Sequence, residues 1–195
     1  HGKHVLVEKP MTRSVVEADR LLAAADAPGQ LIPEQIPVEH LWPGRLLVDG
    51  GIAGGIEVVI GPDGPDGRPR WMVVAIDIVI RRADRDREPG ETAHLTSLHE
   101  EGAGDVTRTA LVEALGANLL LWLTRWEEDG FRGVHDNWLF RAAGRTDDRL
   151  LGADAREVLG RVLGLDEHAG LVVKPADGGQ VVVIPLADVI DVASS

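Results

Sequence analysis

Two histidines and two glutamates lie close together in the middle of the chain and are candidates for binding a metal ion. They are His94, His99, Glu100 and Glu101. His99 and Glu100 are adjacent and therefore point in different directions, and neither H-x-x-x-H nor H-x-x-E-H spacing occurs in the chain. The chain also lacks cysteine, which excludes thiolate ligands and a cysteine nucleophile. A solvated loop is favoured for this group, and we expect neither a metal nor another cofactor.

Two further places in the sequence carry side chains that could take part in acid–base chemistry. His135 and Asp136, close to Trp138, would suit a general base with an orienting carboxylate, but neighbours in sequence do not face each other on a helix. Asp77 interrupts the most apolar stretch of the chain, where a carboxylate is costly unless it is bonded or exposed. It faces either a cavity or the solvent, and the sequence favours neither. We assign no residue a catalytic role.

Charge and composition restrict the class of protein. The chain has 195 residues, of which 44% are hydrophobic, so it can bury a core. A net charge of −12 argues against a nucleic-acid or anionic-membrane surface, because both need clustered cations. Apolar runs such as Leu119 to Leu123 are far too short to span a bilayer. We therefore expect a cytoplasmic protein that contacts neither nucleic acid nor membrane.

Hydrophobic periodicity predicts the elements that must position these residues. Gly50-Gly51 predicts a tight turn that leads into a strand over Ile52 to Ile60. Trp71 to Ile80 is apolar and β-branched and predicts the strongest strand. A long helix is predicted from Asp105 or Thr107 to Gly130, and a second one over residues 134–143. One apolar stripe on the long helix consists of Leu111, Leu115, Leu119, Trp122 and Trp126.

Three regions follow from this pattern. Residues 1–30 form a strand–helix segment whose relation to the remainder is open. Residues 31–147 form an α+β core, with a mixed sheet and packed helices. Residues 148–195 alternate short β segments with turns, which is typical of a small SH3-like barrel.

Two segments near the predicted hairpin have the form of a two-part signature. Trp42-Pro43-Gly44-Arg45 followed by Ile52-Ala53-Gly54-Gly55-Ile56 is similar to the W-P-N-D and K-[LI]-[AG]-G-I signatures of the biotin/lipoate protein ligases, which the chain resembles from about Ile32 onward. Gly164-Leu165-Asp166 with Gly170-Leu171 resembles the family's G-I-D-x-x-G-x-L turn. The resemblance implies a partial ligase-type sheet followed by the barrel. It also implies an acyl pocket, for which the candidate lining residues are Trp42, Pro43, Gly54, Gly55, Ile56 and Asp77.

The chain departs from the family where adenylation would occur. The family's G-R-G-R-x-G-R-x-W phosphate loop has no counterpart, and Ile52 or Gly51 replaces the signature lysine. Stabilising the charge on an adenylating phosphate needs fixed cations and amides. We therefore expect a degenerate ligase-like protein that binds a biotin- or lipoate-like acyl ligand, or a carrier partner, without adenylation. A homodimer is compatible with this expectation.

A second resemblance concerns the first 25 residues. Glu8-Lys9-Pro10 and its surroundings resemble the E-K-P segment of the glucose-fructose oxidoreductase and inositol dehydrogenase family, which implies Lys9 beside a nicotinamide. The G-x-G-x-x-G loop expected before it and the sugar-binding domain expected after it have no counterpart in the chain. A purely structural role of this segment is favoured. Two alternatives to the ligase-like function stay open: a non-catalytic interaction module and an NAD(P)-dependent oxidoreductase fragment.

Overall fold

A computed structural model describes residues 36–66, 69–82, 95–152, 157–188 and 191–192. The candidate cofactor residue Lys9 and the candidate metal ligand His94 lie outside these ranges. Among the described residues, no helix is both long and apolar enough to cross a lipid bilayer.

The first sheet contains five strands around a central hairpin. They are β1 (Val38–Leu41), β2 (Arg45–Val48), β3 (Gly51–Ile60), β4 (Met72–Ile78) and β9 (Asp191–Val192). Strands β1 to β4 are antiparallel neighbours in chain order, and β9 pairs parallel with β3 at Val59 and Ile60. Asp191 and Val192 are therefore hydrogen-bonded into a sheet that begins far upstream.

The hairpin between β2 and β3 turns at Asp49 and Gly50, one residue earlier than predicted. Their φ angles of 48° and 81° are both left-handed, as a two-residue type I′ turn requires, and Asp-Gly is a preferred pair for this turn. Gly51 is instead the first residue of β3 and pairs with Val48.

The two predicted helices are present as α1 (Arg108–Asp129) and α2 (Phe131–Phe140). The Thr107 hydroxyl oxygen caps α1 by accepting from the Ala110 N–H at 3.2 Å. Gly130, with φ 73°, ends α1 and directly precedes α2. The second helix therefore starts three residues before the predicted position, because one left-handed glycine is the whole connection.

Alternate residues of the central strands pack against α1. The pairs Ile56–Ile76, Val58–Val74 and Ile60–Met72 lie on the face that also contacts Leu119 of α1. The opposite face of these strands carries Glu57 and Asp77, which are exposed. Since side chains alternate along a strand, one face of β3 and β4 lies against the helix. The opposite face, which carries these exposed side chains and that of Arg45 on β2, is called the open face. On the helix stripe, Leu111 and Trp122 are buried and the other three members are half-buried.

The second sheet is antiparallel and follows the two helices. Its strands are β5 (Arg149–Leu151), β6 (Val158–Leu165), β7 (Leu171–Pro175) and β8 (Val182–Ile184), paired in chain order. A pairing between β5 and β8 is not among those of the described residues. The α+β fold is confirmed, whereas a closed SH3-like barrel stays a prediction.

Trp42 joins the second sheet to the first. The indole is 2% exposed and packs in one core with Trp138 of α2 and with apolar side chains of the second sheet, among them Leu171 and Val173. Its Nε1–H donates to the Ala169 carbonyl oxygen at 3.2 Å, across 127 residues of sequence. This core contains residues from both sides of the predicted division at 147/148, and that division stays a prediction.

The turn that carries Ala169 is held in place by Asp166. One carboxylate oxygen of Asp166 accepts from the N–H groups of His168 at 2.8 Å and Gly170 at 2.7 Å. Ala169 itself has φ 59°, an uncommon conformation for a residue with a side chain. The aspartate of the G-I-D-x-x-G-x-L resemblance therefore acts as a turn-forming residue.

His40 lies at a second junction between the two parts of the fold. It is 1% exposed. Its backbone N–H donates to the Arg141 carbonyl at 2.9 Å, and its backbone carbonyl accepts from the Ala143 N–H at 2.8 Å. Burial, followed by the charge of Arg141, lowers the pKa of His40 to about 4. Nothing in the sequence marks this residue, because a lone histidine in a short strand has no pattern of its own.

Replacing Trp42 with Phe should lower the free energy of unfolding by about 2 kcal/mol or more. The variant leaves the Ala169 carbonyl without its indole donor and leaves unfilled volume in the core. Urea unfolding followed by circular dichroism measures the change. Trp71→Phe, at a tryptophan that is 40% exposed, is the matched control and should cost clearly less; equal losses would contradict the role assigned to Trp42.

Stability should fall as the pH drops from about 6.5 to about 4. In this window the unfolded chain protonates His40 while the folded protein keeps it neutral, so the unfolded state binds more protons. The contribution of His40 to this loss amounts to about 3 kcal/mol over the whole window. His40→Gln should flatten the pH dependence of the unfolding free energy, and His168→Gln, at an exposed site, should leave it unchanged. Parallel slopes for wild type and His40→Gln would refute the assignment.

Candidate ligand-binding site

The start of β3 is bulged, and the bulge decides which way its residues face. Leu46 pairs with Gly54 but Leu47 pairs with Ile52, so Ala53 is an additional residue in β3. Ala53 is fully buried, and its carbonyl accepts from the Val79 N–H at 2.7 Å. The regular alternation of side chains between the two faces is therefore interrupted within Ile52 to Ile56, which we call the signature segment.

The predicted site residues divide between the two faces of the sheet. Gly54 pairs with Leu46 and Ile78, which pack in the core beneath α1, and Ile56 packs on the same side. Gly55 pairs with Asp77, which is exposed on the open face. Of the two alternatives for Asp77, the solvent-facing one is observed.

The glycines of the signature segment allow the main chains of three strands to approach closely. A Cβ atom at Gly54 would lie 2.1 Å from the Asp77 carbonyl oxygen, and one at Gly55 would lie 2.8 Å from the Gly44 carbonyl oxygen. Because real Cβ atoms do not come this close to backbone oxygen, strand packing alone requires glycine at both positions. The idea that Gly54 leaves room for a ligand is therefore not needed to explain its presence.

The Trp42-Pro43 corner lies beside β3. The Gly44 carbonyl oxygen, next to this corner, accepts from the Ile56 N–H at 2.7 Å. The corner and the signature strand are thus neighbours, as expected for a shared site. The Trp42 side chain, however, points into the core of the second sheet, so only the main chain of the corner and the half-buried Pro43 are left to contact a ligand.

Arg45 lies at the position of the aspartate in W-P-N-D and is not among the predicted site residues. It pairs with Gly55 on β3, so Arg45, Gly55 and Asp77 form one row across three strands. Directly opposed residues of antiparallel strands share a face, and both charged side chains are exposed. Only the strand register shows that they belong together.

The segment from Leu95 to Glu101 lies beside the start of β3 and the residues just after β4. The Thr96 N–H donates to the Ile52 carbonyl at 2.9 Å, and the Leu98 N–H donates to the Val79 carbonyl at 2.9 Å. Thr96 and Ser97 are buried, and their hydroxyls donate to Glu101 and Glu100 respectively. The two glutamates considered as metal ligands are therefore hydrogen-bonded within this segment.

His99 is also engaged by a neighbouring side chain. Its Nε2 atom lies 2.6 Å from a guanidinium nitrogen of Arg81. A cation beside an imidazole disfavours a second cation on the same ring nitrogen. We therefore retain the solvated-loop interpretation for this group.

The expectation that His135 and Asp136 do not face each other on the helix is wrong. His135 nevertheless has a structural role. His135 Nδ1 lies 3.1 Å from Asp136 Oδ1, so these neighbours do contact each other on the helix. The other ring nitrogen, Nε2, accepts from the Leu165 N–H at 3.3 Å. Both ring nitrogens therefore have a neighbour within hydrogen-bond distance, and His135 connects α2 to the second sheet.

Comparison with known proteins shows the family. The model of the Biotin/lipoate A/B protein ligase family matches residues 10–140, and the chain belongs to that family. The chain is 25% identical over 168 residues to the biotin–[acetyl-CoA-carboxylase] ligase of Paracoccus denitrificans. The matched residues cover 86% of this chain and 69% of that protein.

Solved structures agree with this assignment. A biotin protein ligase-like protein of unknown function from Silicibacter sp. tm1040 is 28% identical, with a TM-score of 0.72 over 97% of this chain and 77% of that one. The biotin protein ligase of Aquifex aeolicus in complex with biotin and ATP is 17% identical, with a TM-score of 0.67 over 92% of this chain and 72% of that one, and supports the fold alone.

These findings confirm the ligase resemblance and decide between the two family resemblances. The family match starts at residue 10, inside the segment compared with oxidoreductases. The oxidoreductase interpretation and the role of Lys9 in it find no support in the comparisons.

Alanine at Gly54 should destabilise the protein by about 1–3 kcal/mol, because the new Cβ meets the Asp77 carbonyl oxygen. The same substitution at Gly116, in α1 with nothing within 4 Å of an added Cβ, should stabilise by about 1 kcal/mol. Urea unfolding of both variants measures the two opposite signs. If Gly54→Ala were as stable as wild type, the close approach of β3 and β4 would be wrong and the pocket interpretation of Gly54 would regain weight.

Proposed function

We propose that this chain binds a small acyl ligand of the biotin or lipoate type at the open face of β2 to β4, or docks a carrier that bears such a group, and does not form an acyl-adenylate on its own. Family membership supports the ligand class. The Aquifex aeolicus ligase of the same fold has been solved with biotin and ATP.

The open face has the properties of a small-ligand site. Such sites combine apolar walls with a few polar groups that orient the ligand. Here the half-buried Val59 and Val73 form one pair on this face, and Gly55 with Asp77 forms another. Pro43 lies at the corner next to it. Of the predicted site residues, Pro43, Gly55 and Asp77 fit the proposed site, while Trp42, Gly54 and Ile56 support it from the core side.

The proposal that the chain does not adenylate rests mainly on the residue at the position of the signature lysine. In either alignment of K-[LI]-[AG]-G-I, this position is Gly51 or Ile52. A Cβ at Gly51 would lie 2.7 Å from the Thr96 side chain, so a lysine has no room there. Ile52 pairs with Leu47 and is held by the Thr96 backbone. The phosphate would lack the cation that the family supplies from this strand.

No lysine of the chain belongs to β3. The three lysines of the chain are Lys3, Lys9 and Lys174. Lys174 lies in β7 of the second sheet and donates to the Gly179 carbonyl at 2.8 Å. Of the two alternative functions, neither the interaction module nor the oxidoreductase fragment is favoured by a structural observation.

The 195-residue chain should release no pyrophosphate from ATP in the presence of biotin, lipoate or octanoate. The reason is the missing cation at Gly51 and Ile52 together with the missing arginine-rich loop. A coupled pyrophosphate assay measures the release against a sample without protein, with an active biotin protein ligase as positive control. Release clearly above background with any one acid would show that the chain adenylates by other residues.

A further inference from the structure

The edge of the second sheet at β8 exposes three consecutive valines. Val181, Val182 and Val183 are 51%, 38% and 45% exposed. Val182 pairs with Val173 of β7, which is fully buried, and Val183 pairs with Val172. Since directly opposed residues share a face of a sheet, Val182 lies on the core side and Val183 on the outer side. The described residues therefore leave the core of the second sheet uncovered at this edge, which we call the valine edge.

The backbone of the valine edge has hydrogen-bonding groups to offer. In the described part of the chain β8 pairs with β7 alone. The backbone hydrogen bonds found there outside the strand ladders involve none of residues 181–184. In an antiparallel ladder, every second residue turns its N–H and C=O groups away from the partner strand. Another strand satisfies such groups, because it supplies donors and acceptors in the same alternation.

The other sheet edges in the described ranges have features that β8 lacks. The edge at β1 is bonded to the chain after α2 through the His40 backbone. Strand β4 carries the charged Asp77, and β5 carries Arg149, which pairs with Asp147. Charges, proline and bulges on exposed edge strands prevent pairing between chains. Gln180 to Ile184 contains no charge, glycine or proline, so nothing in the composition of this stretch opposes such pairing.

A second copy of β8 is complementary to this edge. Antiparallel pairing about a two-fold axis at Val182 places this residue opposite its own counterpart on the core side. It also places Val181 of each copy opposite Val183 of the other copy on the outer side. Cross-strand pairs of β-branched residues stabilise a sheet. Because the stretch is uncharged, two chains that each carry a net charge of −12 meet here without like charges opposed at the contact.

We propose that the valine edge is a homodimer interface, at which the second sheets of two copies join through β8 into one continuous sheet. The contact is isologous, so the assembly closes at two copies. The uncovered side of the core at Val182 is then closed by the same residue of the second copy. The first sheet, which carries the proposed ligand site, takes no part in this contact, so the inference is independent of the proposed function.

Sedimentation velocity of the full chain over a concentration series tests the proposal. Because β8 is short, the interface is small, and the wild type should dimerise with a dissociation constant of roughly 1–100 μM. Val182→Lys should raise this constant by about tenfold or more, because the two ammonium groups would oppose each other across the axis. Val183→Lys should act in the same direction from the outer side. Urea unfolding at low protein concentration checks that each variant keeps its fold.

Two further lysine variants serve as controls. Leu159→Lys lies on β6, away from the valine edge, at a residue that is 55% exposed, and Val112→Lys lies on α1 at a residue that is 44% exposed. Since neither position contacts the proposed partner, both variants should change the dissociation constant less than about twofold.

Hydrogen–deuterium exchange of the wild type needs no variant. Protection of the backbone amides of residues 181–184 should rise with protein concentration, because the outward amides gain partners only in the dimer. The amides of β1 should exchange at the same rate at every concentration.

Each contrary result overturns the proposal in a different way. A wild type that is monomeric at roughly 500 μM, well above the expected dissociation constant, has no such interface. If both edge variants stay folded and dimerise like wild type, or if residues 181–184 gain no protection on dimerisation, the copies meet elsewhere. If Leu159→Lys dissociates the dimer as strongly as Val182→Lys, the sheets stack by their outer faces instead. Species larger than a dimer would contradict the closed, isologous pairing.

Discussion

The contact on which both sheets depend is the hydrogen bond from the Trp42 indole to the Ala169 carbonyl, with the core that surrounds it. A buried carbonyl needs a donor, and here the donor comes from the corner between β1 and β2. Asp166 fixes the turn so that Ala169 presents its carbonyl to the indole. The corner of the first sheet and the turn of the second are thus positioned by one side chain. In this chain the tryptophan of the ligase signature is a structural residue.

A second constraint is the closeness of the main chains of β2, β3 and β4. After the bulge at Ala53, Gly54 faces the helix side and Gly55 faces the open side, so no side chain projects from the strand at either position. On the helix side, apolar neighbours fill the space. On the open side, the space above Gly55 is bordered by Arg45 and Asp77. The same glycines therefore serve the packing of the sheet and shape the proposed binding face.

Local signals in the sequence predicted local structure well. The cap at Thr107, the stop at Gly130 and the strand around Val74 all follow from residue type and spacing. Properties that depend on register were not predictable, because one bulged residue moves every following side chain to the other face. For this reason the sequence could not show which of the two faces Gly54 and Gly55 each take, nor place Arg45 in line with Asp77. The contact between His135 and Asp136 was not predicted. The rule that adjacent helix residues point in different directions does not take account of the rotamers that bring these two side chains together.

The parallel pairing of β9 with β3 has a consequence for how the chain folds. The hairpins β2–β3 and β3–β4 join residues close in sequence and can form early, whereas Val59 and Asp191 come together only after the whole intervening chain is in place. Pairings between distant residues carry a high loop-closure entropy and slow the folding of a domain. During synthesis on the ribosome, this pairing therefore has to wait until Asp191 and Val192 have left the exit tunnel. Until then, the backbone edge of β3 at Val59 and Ile60 is open to pairing with another chain.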